Sequence, residues 1–97
     1  MKKIEEQPED FYTRFEEKLT ESQVWPGPYL FKFILKSDSN HFSTLQSFFN
    51  GKKSKWKKKS SAKKTFVSIS IYADMDSPQE VITLYKKVSQ LEGIISL

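Results

Sequence analysis

The stretch from Lys64 to Leu97 constrains this chain most, because it spells a strand, a helix start and a helix stop in close succession. In Thr65-Phe66-Val67-Ser68-Ile69-Ser70-Ile71-Tyr72-Ala73 the odd positions carry Thr, Val, Ile, Ile and Ala, and the even ones Phe, Ser, Ser and Tyr. This period of two predicts a strand over 65–73 with one face turned to a core. Ser77-Pro78-Gln79-Glu80 then opens a helix: Ser77 can cap, Pro78 suits the first helical position, and Glu80 completes a capping box. Over 77–91, Val81, Leu84, Tyr85, Val88 and Leu91 form an apolar stripe, with Lys86, Lys87 and Gln90 on the outer side. Gly93 supplies the stop, and Ile94-Ile95-Ser96-Leu97 is apolar enough to return to a sheet.

The preceding half repeats this plan. Trp25-Pro26-Gly27-Pro28 is a rigid turn into a strand over 29–36, in which Tyr29, Phe31, Phe33 and Leu35 alternate with Leu30, Lys32, Ile34 and Lys36. Ser37-Asp38-Ser39-Asn40 supplies caps for a short helix containing Phe42, Leu45, Phe48 and Phe49, which Asn50-Gly51 ends. Between the halves, the segment 52–64 must hold one more strand, Ser54 to Ser60, and a turn over 60–63. Trp56 alone offers substantial apolar area there, so an edge strand is expected, and lysines on an edge prevent pairing with other sheets.

Four of these pieces carry a resemblance. Phe66-Val67-Ser68-Ile69-Ser70-Ile71, the helix running from Gln79-Glu80-Val81 through Leu84-Tyr85, and Ile94-Ile95-Ser96-Leu97 resemble the C-terminal half of the YbeD-like family, also called domain of unknown function 493. Trp25-Pro26-Gly27-Pro28-Tyr29-Leu30-Phe31-Lys32 resembles that family's proline-flanked lead into its first strand. The resemblance spans residues 25–97 and implies a small βαββαβ domain similar to ACT domains and ferredoxin-like folds. The expected fold is therefore α+β, a ferredoxin-like (ACT-like) sandwich with a four-stranded antiparallel sheet of order 4-1-3-2 and two helices on one face. The Tyr29 and Thr65 strands are expected at its centre, side by side and parallel.

Ninety-seven residues suit one domain, here 25–97, preceded by a tail and an accessory helix over 1–24. Residues 1–7 are expected to be disordered. A helix from Pro8 to about Thr20 places Phe11, Tyr12, Phe15 and Leu19 on one side. That side packs on the domain or docks to a partner, while the acid-rich polar side argues against a membrane surface. Met1-Lys2-Lys3-Ile4 runs into acidic residues and no apolar run approaches ~20 residues, so no signal peptide and a cytoplasmic protein with no membrane role are expected. The absence of Cys excludes disulfides, thiol nucleophiles and thiolate metal sites.

Net charge is +4, but its distribution is uneven: Lys52, Lys53, Lys55, Lys57, Lys58, Lys59, Lys63 and Lys64 have no acid among them. The other eight cations of the 16 face 12 acids. With Trp56 to stack on a base, the lysine hairpin over 52–64 is a candidate patch for nucleic acid or an acidic protein. It holds no Arg, so little sequence readout is expected. The bland reading is a solvated edge with Trp56 folded inward.

Two further candidates arise from the expected fold. The open sheet face would carry Lys32, Ile34, Lys36, Phe66, Ser68, Ser70 and Tyr72, and sheet-mediated association of ACT-like domains implies a homo-oligomer. Ser68 and Ser70 stand where RNA-recognition domains place central aromatics, so the face does not match that motif. Where the two central strands end together, Asp38, Asn40 and His41 would approach Asp74, Asp76 and Ser77, beside two helix N-termini, as an effector edge. Each of these residues is equally well used as a cap or turn residue. His41 is the sole histidine and has no Cys partner. No catalytic, cofactor-binding or metal-binding residue is assigned, and no enzyme activity is expected. The leading expectation is a regulatory or protein-interaction module using its open sheet face, its N-terminal helix, or both; the alternative is weakly selective nucleic-acid binding through the lysine hairpin.

Overall fold

The computed structural model describes residues 8–96. The expectation for residues 1–7, and Leu97 of the closing strand, lie outside the described residues. The elements are α1 (Pro8–Ser22), β1 (Gly27–Lys36), α2 (His41–Ser47), β2 (Ser54–Ser60), β3 (Phe66–Met75), α3 (Pro78–Ser89) and β4 (Ile95–Ser96). All strand pairs are antiparallel, and the sheet order is β2-β3-β1-β4.

Alternation decides which face of this sheet is dry. Phe31, Phe33 and Leu35 of β1 and Ile69, Ile71, Ala73 and Met75 of β3 are buried, together with Leu45, Phe49, Val81, Leu84 and Val88 from the helical layer. Burying one such large side chain contributes about 1.5–3 kcal/mol. The rings interlock as well: Phe31 meets Phe49 edge-on at 5.3 Å and Phe33 meets Tyr85 at 6.0 Å between centroids. The even positions of both strands point the other way.

The helix starts follow from local chemistry. At α3, the Ser77 hydroxyl accepts the Glu80 N–H at 3.2 Å, and Glu80 Oε1 accepts the Asp76 N–H at 2.9 Å, so orphan donors are satisfied from both sides. At α2, Asn40 is the N-cap but makes no side-chain cap bond; the Ser39 hydroxyl accepts the His41 N–H at 3.1 Å instead. Past α3, Gly93 adopts a φ of 83°, a conformation that a side chain would strain.

The N-terminal helix is built into this packing. Leu19 is 4% exposed, the Phe15 ring lies 5.4 Å from that of Tyr85, and the Trp25 indole donates to the Leu19 carbonyl at 2.8 Å. Gln79 Nε2 also donates to Glu16 at 3.0 Å. The apolar side of α1 is thus spent largely on α3, leaving Phe11 as its exposed ring.

One expectation is corrected here. The central strands β1 and β3 run antiparallel, with Gly27 opposite Met75 and Lys36 opposite Phe66. The reason is topological: a crossover through α2 keeps β2 parallel to β1, and the β2–β3 hairpin then reverses β3. The β1–α2 and β3–α3 turns therefore sit at opposite ends of the sheet. With about 3.4 Å per residue along β1, they are separated by about 30 Å.

Candidate functional site

The open face reads as cross-strand rows, because directly paired residues in an antiparallel sheet project to the same side. One row is Lys55, Tyr72 and Leu30; the next is Lys57, Ser70 and Lys32. A third runs Lys59, Ser68, Ile34 and Ile95, and a fourth pairs Phe66 with Lys36. Beyond the first row, the Asp74 N–H donates to the Lys53 carbonyl at 3.1 Å, which extends the β2–β3 ladder by one residue. Lys53 therefore shares the parity of Lys55, Lys57 and Lys59.

The result is a ladder of four exposed lysines along one margin, spaced about 6.8 Å apart as alternate strand residues. Lys32 and Lys36 add two exposed cations from β1. Ser68 and Ser70 form a low, half-buried floor between these longer chains. Tyr72, 46% exposed, and Phe66, 41% exposed, stand towards the two ends of β3. Asp74 is the one acid on this face among the described residues, and it lies at a corner. Two sites that look independent in the sequence, the lysine hairpin and the open face, are one continuous surface.

The other half of the lysine run does different work. Trp56 pairs with buried Ile71, so it points to the helical side, where its ring meets Phe42 at 5.7 Å and Phe49 at 5.4 Å edge-on. Its indole N–H is taken by the Ser54 hydroxyl at 3.0 Å. Of the two readings of Trp56, stacking on a nucleic-acid base or folding inward, the ring takes the second, half-buried against the core. Lys58 shares its side of the strand and places Nζ 3.5 Å from the Phe42 ring centroid, a cation–π contact. Lys52 bridges Glu80 and Asp76, the latter at 3.3 Å. Burial by itself would lower the Lys52 ammonium pKa, but hydrogen bonds and charge from Glu80 and Asp76 outweigh it and raise it. Lys63 and Lys64 sit in the turn between β2 and β3, where Lys64 takes a φ of 56°.

The expected effector edge does not assemble. Asp38, Asn40 and His41 lie past the Lys36 end of β1, whereas Asp74, Asp76 and Ser77 lie at the Met75 end of β3, opposite Gly27. In the second group, Ser77 caps α3 and Asp76 holds Lys52. Antiparallel central strands make a shared site for these residues impossible.

A hollow of about 390 Å³ between α1 and α3 is lined chiefly by Phe11, Tyr12, Phe15, Tyr29 and Tyr85. The Tyr29 and Tyr85 hydroxyls are 3.3 Å apart at its floor. Burial, reinforced by that hydrogen bond, pushes the Tyr85 phenol well above its ordinary pKa, so it stays neutral and bonded. This seam joins α1 to the domain.

No family model, curated protein or solved structure matches the chain. Among the described residues no helix is long and apolar enough to cross a membrane.

Proposed function

We propose that this protein is a small, non-enzymatic interaction module whose working surface is the open sheet face, and that its partner presents a run of negative charge. A ferredoxin-like, ACT-like arrangement of the YbeD-like kind is the fold reading that goes with this proposal; the four-stranded antiparallel sheet with helices packed on one face is compatible with it. The observation that carries the functional reading is the shared parity of Lys53, Lys55, Lys57 and Lys59, which lines them up with Lys32 and Lys36 around a low serine floor. Such a field attracts and orients a polyanion, and salt screens it beyond a Debye length of about 8 Å at physiological ionic strength.

The same charges argue against self-association through this face. Two copies pressed sheet to sheet would bring cation against cation, so the homo-oligomer implied by ACT-like domains finds no support in this surface chemistry. The α1 reading is weaker too, since its apolar side is already packed on α3.

A charge-matched pair of variants tests the assignment. Lys55, Lys57 and Lys59→Ala removes three cations from the face; Lys18, Lys86 and Lys87→Ala removes three exposed cations elsewhere. On an immobilised heparin resin the first variant is expected to elute at much lower salt than the parent, and the second close to it. Equal shifts would mean that net charge alone governs retention and that the face is not the working surface.

A further inference from the structure

We infer that the polyanion suited to this face is an unpaired nucleic-acid strand, an inference that rests on the open face being the working surface. The lysine ladder supplies charge, which any acidic polymer can use. The two exposed rings discriminate. Tyr72 lies directly across from Lys55, and Phe66 directly across from Lys36, so each ring has a cation beside it. The rings are six residues apart on β3, about 20 Å along the strand, with only Ser68 and Ser70 on the face between them.

This arrangement is a trough with a flat platform towards each end and cations along its walls. A single strand laid along β3 can place its phosphates beside Lys55, Lys57 and Lys59 and stack bases on Tyr72 and Phe66. Both interactions form together only for a polymer that carries charge and free π-faces at once. An acidic peptide offers no bases for the rings, and a duplex keeps its base faces stacked inside. The serine hydroxyls can donate to or accept from a sugar or a base edge.

The face also sets the selectivity. No arginine, asparagine or glutamine stands on it, and the chain's sole arginine is Arg14 of α1. Bidentate base recognition uses those side chains, so the site reads charge and stacking and little sequence. DNA and RNA strands share the required chemistry.

The test is fluorescence anisotropy of labelled oligo(dT) and oligo(rU) of about 12 nucleotides, a length within the range of known single-strand sites. A duplex and labelled poly-L-glutamate serve as comparison ligands across a salt series. Both single strands are expected to bind more tightly than the duplex and polyglutamate. Their log–log salt slope should be about −2 to −4, shallower by about 2 in the Lys55, Lys57 and Lys59→Ala variant. Tyr72→Ala and Phe66→Ala should each weaken oligonucleotide binding by about five- to a hundredfold and leave polyglutamate unaffected. Both rings are exposed, so the fold of these variants is checked simply by circular dichroism. If polyglutamate binds as well as the oligonucleotides, or the aromatic variants bind like the parent, the single-strand inference is overturned while the charged-face reading stands. If neither polymer binds, both fall.

Discussion

The two faces of the one sheet differ as sharply as two proteins. On the helical face the two central strands fill volume: Phe31, Phe33, Ile69 and Ile71 are fully buried, and half-buried Trp56 packs beside them from the edge strand. On the open face the same strands carry lysines, two serines and two exposed rings beside Leu30, Ile34 and Ile95. The contrast teaches that packed and exposed residues alternate along the same strands, so substitutions can separate stability from whatever the open face does.

The largest effect should come from the dry side. Phe31→Ala is expected to cost about 3–5 kcal/mol in urea unfolding, whereas Ser70→Ala, one strand away on the other face, should change stability by less than about 0.5 kcal/mol. Comparable losses at both positions would erase the distinction. Next, Trp56→Ala should lower stability by about 2 kcal/mol, because a half-buried ring is removed from Phe42 and Phe49. An outward, ligand-stacking Trp56 would instead leave the unfolding midpoint unchanged.

Alkaline pH sharpens the comparison from another side. Tyr85 has a raised folded-state pKa, so above about pH 10 the unfolded chain loses its phenolic proton while the folded one keeps it. Its contribution is full below the unfolded pKa and declines as pH rises beyond it, at no more than about 1.4 kcal/mol per unit. Tyr85→Phe should flatten that decline in unfolding curves measured between neutral and strongly alkaline pH. A smaller loss belongs to the α3 cap: Ser77→Ala should cost about 1 kcal/mol in urea unfolding, because the Glu80 N–H loses its acceptor.

Much of the dry side is legible in the sequence, because its signals are local. The alternation through Phe31, Phe33 and Leu35, the Val81-Leu84-Val88 stripe and the Ser77 cap each need only a short window. Strand direction is another matter. Whether Asp38 and Asp74 meet depends on the sense of β3 relative to β1, which no window contains, and an effector edge drawn on parallel strands dissolves once β3 is reversed. The composite face is a subtler case. Its signal was present: with Trp56 turned inward, parity alone sends Lys53, Lys55, Lys57 and Lys59 to the opposite side. Eight lysines counted together conceal it, because the count ignores which of them share a face with Lys32 and Lys36.

The Trp25 indole bonded to the Leu19 carbonyl has a practical consequence. The chain's two tryptophans occupy separate structural seams, Trp25 where α1 is fastened and Trp56 where β2 meets the core. Intrinsic emission from a Trp56→Phe variant therefore follows the docking of α1, and emission from a Trp25→Phe variant follows the sheet edge. The molecule carries two native optical reporters, one at each seam.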